Sequence, residues 1–289
     1  MTDIPARVED LITTVTGPFE FIAEHSWPGP DRPRVWEVRG SDGQRRFVKR
    51  HAGPQGHRRE VEAYQRWTHC LGAGRAPTLV AADTEARAIV ITPVAGRSVR
   101  SHPLDGKEEL EAYQQAGYLL ALLHSVPTGT ASHIAGGEDE WEAAVEKMLT
   151  GAALYLPADV GLMLRDLTRE RPGELPAHVS HADYQPRNWL WDSTTRTLRL
   201  IDFERNRPAP AVEDLVHLAA GAWSEDPALR DAFLHGFGRA LTGREEGALR
   251  YLTALDAVSG LVRGHDSDDD FLRARARRTL NLLIQEGRP

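Results

Sequence analysis

His181-Ala-Asp183-Tyr-Gln-Pro-Arg-Asn188-Trp-Leu190, followed shortly by Leu200-Ile-Asp202-Phe-Glu204, is the stretch whose reading decides the fold. Trp189, Leu190 and Trp191 form a short apolar run, Asp192 to Thr197 a polar turn, and Leu198 to Ile201 a second apolar run. Two such runs joined by turn-forming residues read as a β-hairpin. The hairpin carries Asn188 just before its first strand and Asp202 just after its second, with Asp183 on the loop that leads in.

Asp183 and Asn188 lie five positions apart. That is the interval of the kinase catalytic loop, in which the Asp accepts the proton of the attacking hydroxyl and the Asn holds Mg²⁺. Carboxylate and carboxamide oxygens are hard ligands, and Mg²⁺ needs only one or two protein groups beside substrate phosphates, so Asn188 and Asp202 are sufficient metal ligands. Asp and Asn are also ordinary turn formers. The added Asn at the right interval, and a second strand ending in Asp, outweigh that alternative.

Upstream, Gln44 to Arg50 follows a Ser41-Asp-Gly43 turn and reads as a strand carrying Lys49 beside Phe47 and Val48. Of 35 basic residues only Lys49, Lys107 and Lys147 are lysines, so a lysine here is not the default choice. A compact ammonium binds phosphate oxygens as a point charge, which a guanidinium does not replace. Pro54 to Leu71 reads as a helix with Val61, Tyr64, Trp67 and Leu71 at helical spacing. Glu60, one turn before Tyr64, lies on or beside the inward face, where a carboxylate needs a cation, and Lys49 is the natural partner. A rim position for Glu60 fits the helix pattern equally well. Ala88 to Gly96 reads as a buried strand running into a connector broken by Pro93 and Gly96, where the Thr92 carbonyl and the Val94 N–H are available for adenine.

Taken together, Lys49, Glu60, Leu122-Leu123-His124, His181-x-Asp183-x-x-x-x-Asn188, Ile201-Asp202-Phe-Glu204 and Asp214-Leu215 resemble the aminoglycoside phosphotransferase family, relatives of choline kinase within the protein-kinase-like superfamily. The resemblance implies an α+β, two-lobed protein-kinase-like fold with a strand-rich N-lobe and a mainly helical C-lobe. Residues 1–94 would form the nucleotide-binding lobe, and 95–289 the helical lobe with the catalytic loop and the substrate site. It implies Asp183 as base, Asn188 and Asp202 as Mg²⁺ ligands, Lys49 and Glu60 as the phosphate-positioning pair, and ATP or GTP as co-substrate. Asp214 and His181 would steady the catalytic loop.

Two departures qualify the likeness. His25 to Arg34 contains one glycine and three prolines where a glycine-rich phosphate loop belongs. Phe203-Glu204 follows Asp202 where protein kinases have Phe-Gly, and no Ala-Pro-Glu segment comes after it, which points to a small substrate and away from a protein.

The chain has 289 residues, enough for two lobes, and a formal net charge of −7, which speaks against nucleic acid as a partner. A single cysteine, Cys70, excludes an internal disulfide, and no signal peptide or membrane-length apolar run is read, so the expected location is cytoplasmic. After the connector, helical spacing recurs over Lys107–His124, Asp139–Leu149, Ala158–Leu167, Val212–Trp223, Asp226–Leu241, Glu245–Val258 and Asp268–Gln285. Acidic groups at Glu138–Glu146 and Asp266–Asp270 fit either a cleft for a polycation or ordinary helix starts. The expected activity is transfer of a nucleotide γ-phosphoryl group to a hydroxyl of an aminoglycoside-type or other antibiotic. A metabolic kinase acting on an amino alcohol, sugar or homoserine-like hydroxyl, and a non-catalytic kinase-like binding protein, are the alternatives.

Overall fold

The structure is a computed structural model that describes residues 4–26, 29, 32–128, 131–132, 138–167 and 175–286. Part of the proline-rich 25–34 segment, residues 27, 28, 30 and 31, lies outside these. In chain order the elements are α1 (Ala6–Thr16), β1 (Phe19–Glu24), β2 (Arg34–Gly40), β3 (Arg45–Arg50), α2 (Pro54–Arg66), β4 (Leu79–Asp83), β5 (Ala88–Ile91), β6 (Arg97–Ser98) and α3 (Gly106–His124). Then follow β7 (Ala131–Ser132), α4 (Glu138–Ala152), α5 (Ala158–Leu167), β8 (Leu175–Ser180), β9 (Trp189–Asp192), β10 (Thr197–Leu200) and β11 (Arg207–Pro210). The chain ends with α6 (Val216–Ala219), α7 (Ala222–Glu225), α8 (Pro227–Phe237), α9 (Gly243–Asp266) and α10 (Asp270–Glu286).

Two compact units result: Met1–Leu104 with Pro186–Arg207, and Asp105–Gln185 with Pro208–Pro289. The first unit is therefore not the contiguous 1–94 expected from sequence. It takes back the β9–β10 hairpin because β6 pairs with β9, and because Arg75 brackets β10, accepting from Leu200 N (2.8 Å) and donating to the Leu198 carbonyl (2.9 Å). Gly96 makes this approach possible. Its φ is +117°, and a Cβ there would sit 2.9 Å from the Trp191 carbonyl carbon and oxygen.

The main sheet of the first unit is antiparallel in the order β1-β2-β3-β5-β4. Strand alternation divides its side chains. Trp36, Val38, Val48 and Val90 share a core with Val8 and Ile12 of α1, while Lys49, next to Val48, points the other way. α2 starts with Pro54 after an extended Gly53, a position where proline loses no helical hydrogen bond, and its His57 ring approaches the Ala88 carbonyl at 3.3 Å. The helix stops at Arg66, earlier than its spacing predicts, and Thr68–Leu71 is a separate 3-10 turn.

The second unit is built on α3 and α8, whose backbones touch. A Cβ at Gly117 would fall 1.9 Å from the Phe233 carbonyl oxygen, and one at Gly236 would fall 1.8 Å from that of Gln114. Helix ends carry expected signals: Asp105 accepts from Lys107 N and Glu108 N, Thr242 and Glu245 form a capping box, and Gly238 closes α8 in the left-handed conformation. The single helix expected over Val212–Trp223 is instead a 3-10 turn at Ala211–Leu215 followed by α6 and α7, broken at Gly221. Among the described residues no helix is long and apolar enough to cross a membrane.

Candidate active site

In the first unit Lys49 sits mid-strand, opposite Val35 of β2 and Ile89 of β5, and is buried. Its Nζ lies 2.8 Å from Glu60 Oε2, 2.5 Å from Asp202 Oδ1 and 3.2 Å from Glu204 Oε2. One ammonium thus answers to three carboxylates drawn from α2 and from the turn after β10. Burial alone would discharge Lys49, but the charges of Asp202, Glu60 and Glu204 overcome it and raise its pKa well above the ordinary lysine range. Burial would likewise push Glu60 up, yet Lys49 and His51 hold its carboxyl down at about 2. The Tyr64 hydroxyl also donates to Glu60, at 3.3 Å, and its ring packs edge-on against buried Phe203.

Asp202 adopts φ +68°, left-handed for a residue with a Cβ. Such strain persists only where surroundings enforce it, and here Lys49 holds the side chain while Ile201 N donates to the Asn188 carbonyl at 3.1 Å. That bond also ties Asn188, itself buried, to the residue before Asp202, so the two expected metal ligands stand at neighbouring ends of one hairpin. Thr92 is fixed against the sheet: its amide donates to the Thr78 carbonyl (3.0 Å) and its hydroxyl accepts from Thr78 N (2.9 Å). Val94 is half-buried two residues on.

In the second unit Asp183 is buried, and its Oδ1 accepts from Gln185 Nε2 at 2.5 Å. His217 on α6 brings Nε2 to 3.7 Å from the same oxygen. The loop before Asp183 is held by Asp214, which accepts from Ala182 N (2.6 Å), His181 N (3.2 Å) and His124 Nε2 (2.9 Å). Ala182 has φ +58°, a strained turn that these bonds enforce. Burial opposes ionisation of Asp214, but the His124 hydrogen bond prevails and lowers its carboxyl below the usual range. Tyr184 anchors the other flank, donating to the Ala116 carbonyl on α3 at 2.6 Å.

Lys49, Glu60 and Asp202 are thus brought into direct contact, and Asn188 is joined to the Asp202 turn through the backbone. The boundary between the units falls between Gln185 and Pro186, inside the loop that carries Asp183 and Asn188. Sequence reasoning missed His51, which reaches Glu60, the contact of Glu204 with Lys49, and the approach of His217 to Asp183. Strand alternation from Lys49 to His51 is the one signal that could have found the first.

Residues 31–252, well over half of the chain, match the phosphotransferase enzyme family. The chain belongs to that family. This phosphotransferase is a kinase-type enzyme with the kinase-like fold of its structural neighbours. One is aminoglycoside 2'-phosphotransferase-IIIa in complex with GDP, at 13% identity and TM-score 0.69, with 98% of this chain and 99% of that chain covered. A second is the streptomycin-ATP ternary complex of APH(2")-IIa, at 15% identity and TM-score 0.63, covering 99% and 97%. A third is macrolide 2'-phosphotransferase MphH from Brachybacterium faecium as apoenzyme, at 14% identity and TM-score 0.59, covering 96% and 98%. No curated protein matches the phosphotransferase.

Proposed function

We propose that the protein transfers the γ-phosphoryl group of ATP or GTP to a hydroxyl of a small molecule. The observation that carries this reading is the contact of Lys49 with both Glu60 and Asp202. In this reading Lys49, kept charged and in place by Glu60, holds nucleotide phosphate oxygens, while the Thr92 carbonyl and Val94 N–H meet the adenine or guanine edge. Asp183, steadied by Gln185, orients the acceptor hydroxyl and takes its proton as the phosphoryl group is attacked.

Asn188 and Asp202 fit Mg²⁺: both offer oxygen donors, they flank one hairpin, and the Asp202 side chain is one-third exposed and reachable. Bound there, Mg²⁺ would neutralise charge on the phosphates. Left-handed Asp202 keeps its carboxylate facing Lys49, so the cation and the metal ligands are preorganised with little reorganisation left to the reaction.

For the acceptor, an aminoglycoside-type or other antibiotic is the first reading, supported by the family and by the antibiotics named with its neighbours. A metabolic hydroxyl substrate, including a homoserine-like amino acid, is favoured by what stands near Asp183. His217 Nδ1 lies 3.5 Å from Arg275 Nη2, and Asp256 has His217, Arg263 and Arg275 each 3.9 Å away. That is a mixed group with cations, where a polycation would call for carboxylates. Asp268 and Asp270 are taken up by Arg273, and Asp269 accepts from Leu272 N, as at a helix start.

The test is nucleoside diphosphate release with ATP and with GTP across cationic antibiotics, amino alcohols, sugars and hydroxy amino acids, with Mg²⁺ present and then chelated. Turnover on at least one acceptor, lost on chelation, is expected. Tight nucleotide binding with no turnover on any acceptor would favour a binding protein instead.

A further inference from the structure

His51 lies two residues past Lys49, so strand alternation turns both side chains toward the sheet face that α2 covers. His51 Nε2 is 2.6 Å from Glu60 Oε2, the same oxygen that Lys49 Nζ contacts at 2.8 Å. At the other edge of the ring, Nδ1 lies 3.1 Å from the Arg87 carbonyl oxygen, which also accepts the His51 backbone N–H at 2.9 Å. A carboxylate can only accept, so the contact with Glu60 is one in which Nε2 donates. His51 is 2% exposed, and its ring packs edge-on against His57 at 5.4 Å. Glu204 completes the group: a ring nitrogen of His51 and one carboxylate oxygen each of Glu60 and Glu204 all lie within 4.8 Å of one another.

Lys49 has a choice of three carboxylates, and two of them, Asp202 and Glu204, are partly exposed and adjoin the expected phosphate site. Glu60 is the one carboxylate of the three that is fully buried. If Glu60 could swing, Lys49 would be drawn toward Asp202 and Glu204 and away from the position where it meets phosphate. We propose that His51 is a positioning residue for nucleotide binding: through its Nε2 contact it pins the Glu60 carboxylate beside the sheet, so that Glu60, and not the competing carboxylates, sets the place of Lys49. This rests on the phosphotransferase reading of Lys49.

The two ring contacts of His51 can be separated by substitution. Glutamine reaches as far as Nε2 and keeps a donor toward Glu60, whereas asparagine reaches as far as Nδ1 and keeps a donor toward Arg87. Affinities for Mg·ATP and Mg·GTP are measured by calorimetry for wild type, His51→Gln and His51→Asn, with melting temperatures alongside. His51→Gln should bind within about threefold of wild type, and His51→Asn about tenfold or more weaker, the loss expected for one hydrogen bond to a charged group. His51→Phe, which keeps the ring packing and has no donor, should match His51→Asn and supplies the same contrast if asparagine fails to fold. Equal affinities for glutamine and asparagine, or a glutamine variant that is folded yet as weak as phenylalanine, would overturn the proposal while leaving the phosphotransferase reading intact. If wild type binds neither nucleotide, that reading itself falls, and the role of His51 with it.

Discussion

The ammonium of Lys49 lies 2.5 Å from the carboxylate of Asp202, across 153 residues of sequence. Lys49 is the one cation shared by the carboxylates of Glu60, Asp202 and Glu204, so its charge offsets all three.

Lys49→Met should therefore cost more than binding. Removing one partner of a buried ion pair strands the others, a loss of about 3 kcal/mol or more. Urea unfolding at pH 7 should show this drop, with part of it recovered in acid as the buried Glu60, left without its ammonium, takes up a proton. An unchanged midpoint would mean that the three carboxylates are relieved in another way.

Acid should destabilise the protein through Glu60. Its carboxyl stands at about 2 in the folded chain against an ordinary 4.5, because Lys49 and His51 outweigh burial. A depressed carboxylate contributes stability that is fully present above the ordinary value and is lost as pH falls from 4.5 toward 2. Asp214, also depressed, adds a loss of the same sign. Unfolding curves between pH 7 and pH 2 should steepen over that window, and Glu60→Gln should flatten the slope. A Glu60→Gln variant with the wild-type acid profile would contradict the assignment.

Asp214→Ala removes the acceptor for two backbone amides and for His124. The left-handed Ala182 then loses what enforces it, so turnover should fall by about 10²-fold while nucleotide affinity stays near wild type, since the change acts at Asp183, the proposed base, and not at the proposed phosphate site. Equal losses in nucleotide affinity and turnover would show that Asp214 acts more widely.

Two glycines should respond oppositely to alanine. Gly117→Ala places a methyl against the Phe233 backbone between α3 and α8, and should cost about 2 kcal/mol or more by overpacking. Gly161→Ala, inside α5 with open space around its Cβ position, should stabilise by about 0.5–1 kcal/mol. Thermal melts of the two variants decide this, and equal shifts would refute the packing described for α3 and α8.

The sequence was most legible where chemistry forces a spacing. Asp183, Asn188 and Asp202 stand out as candidates because a loop and a hairpin fix their intervals, and Lys49 because its lysine stands among arginines. Glu60 was half legible: helical periodicity put it on or beside the inward face, and only the tertiary contact with Lys49 distinguishes that from a rim position. α1 and β1 carry weak patterns, since α1 buries only Val8, Ile12 and Thr16 and β1 has no fully buried side chain. Val212–Trp223 has helical spacing, but the bonds Asp214 makes to the Asp183 loop hold a 3-10 turn there instead, a tertiary demand that no local pattern contains. The first unit's claim on Pro186–Arg207 was hidden for a similar reason: it rests on β6, a two-residue strand. His217 lies 34 residues beyond Asp183, with nothing in its spacing to mark the approach.

The most direct test of the account is Asp183→Asn, compared with wild type for Mg·ATP or Mg·GTP affinity and for diphosphate release on an accepted substrate. Asparagine keeps the shape and an acceptor oxygen but cannot take a proton, so affinity should remain within a few-fold while turnover falls by about 10²–10⁴-fold. A variant that turns over at the wild-type rate would contradict the account, because the proton of the acceptor hydroxyl would then leave without Asp183.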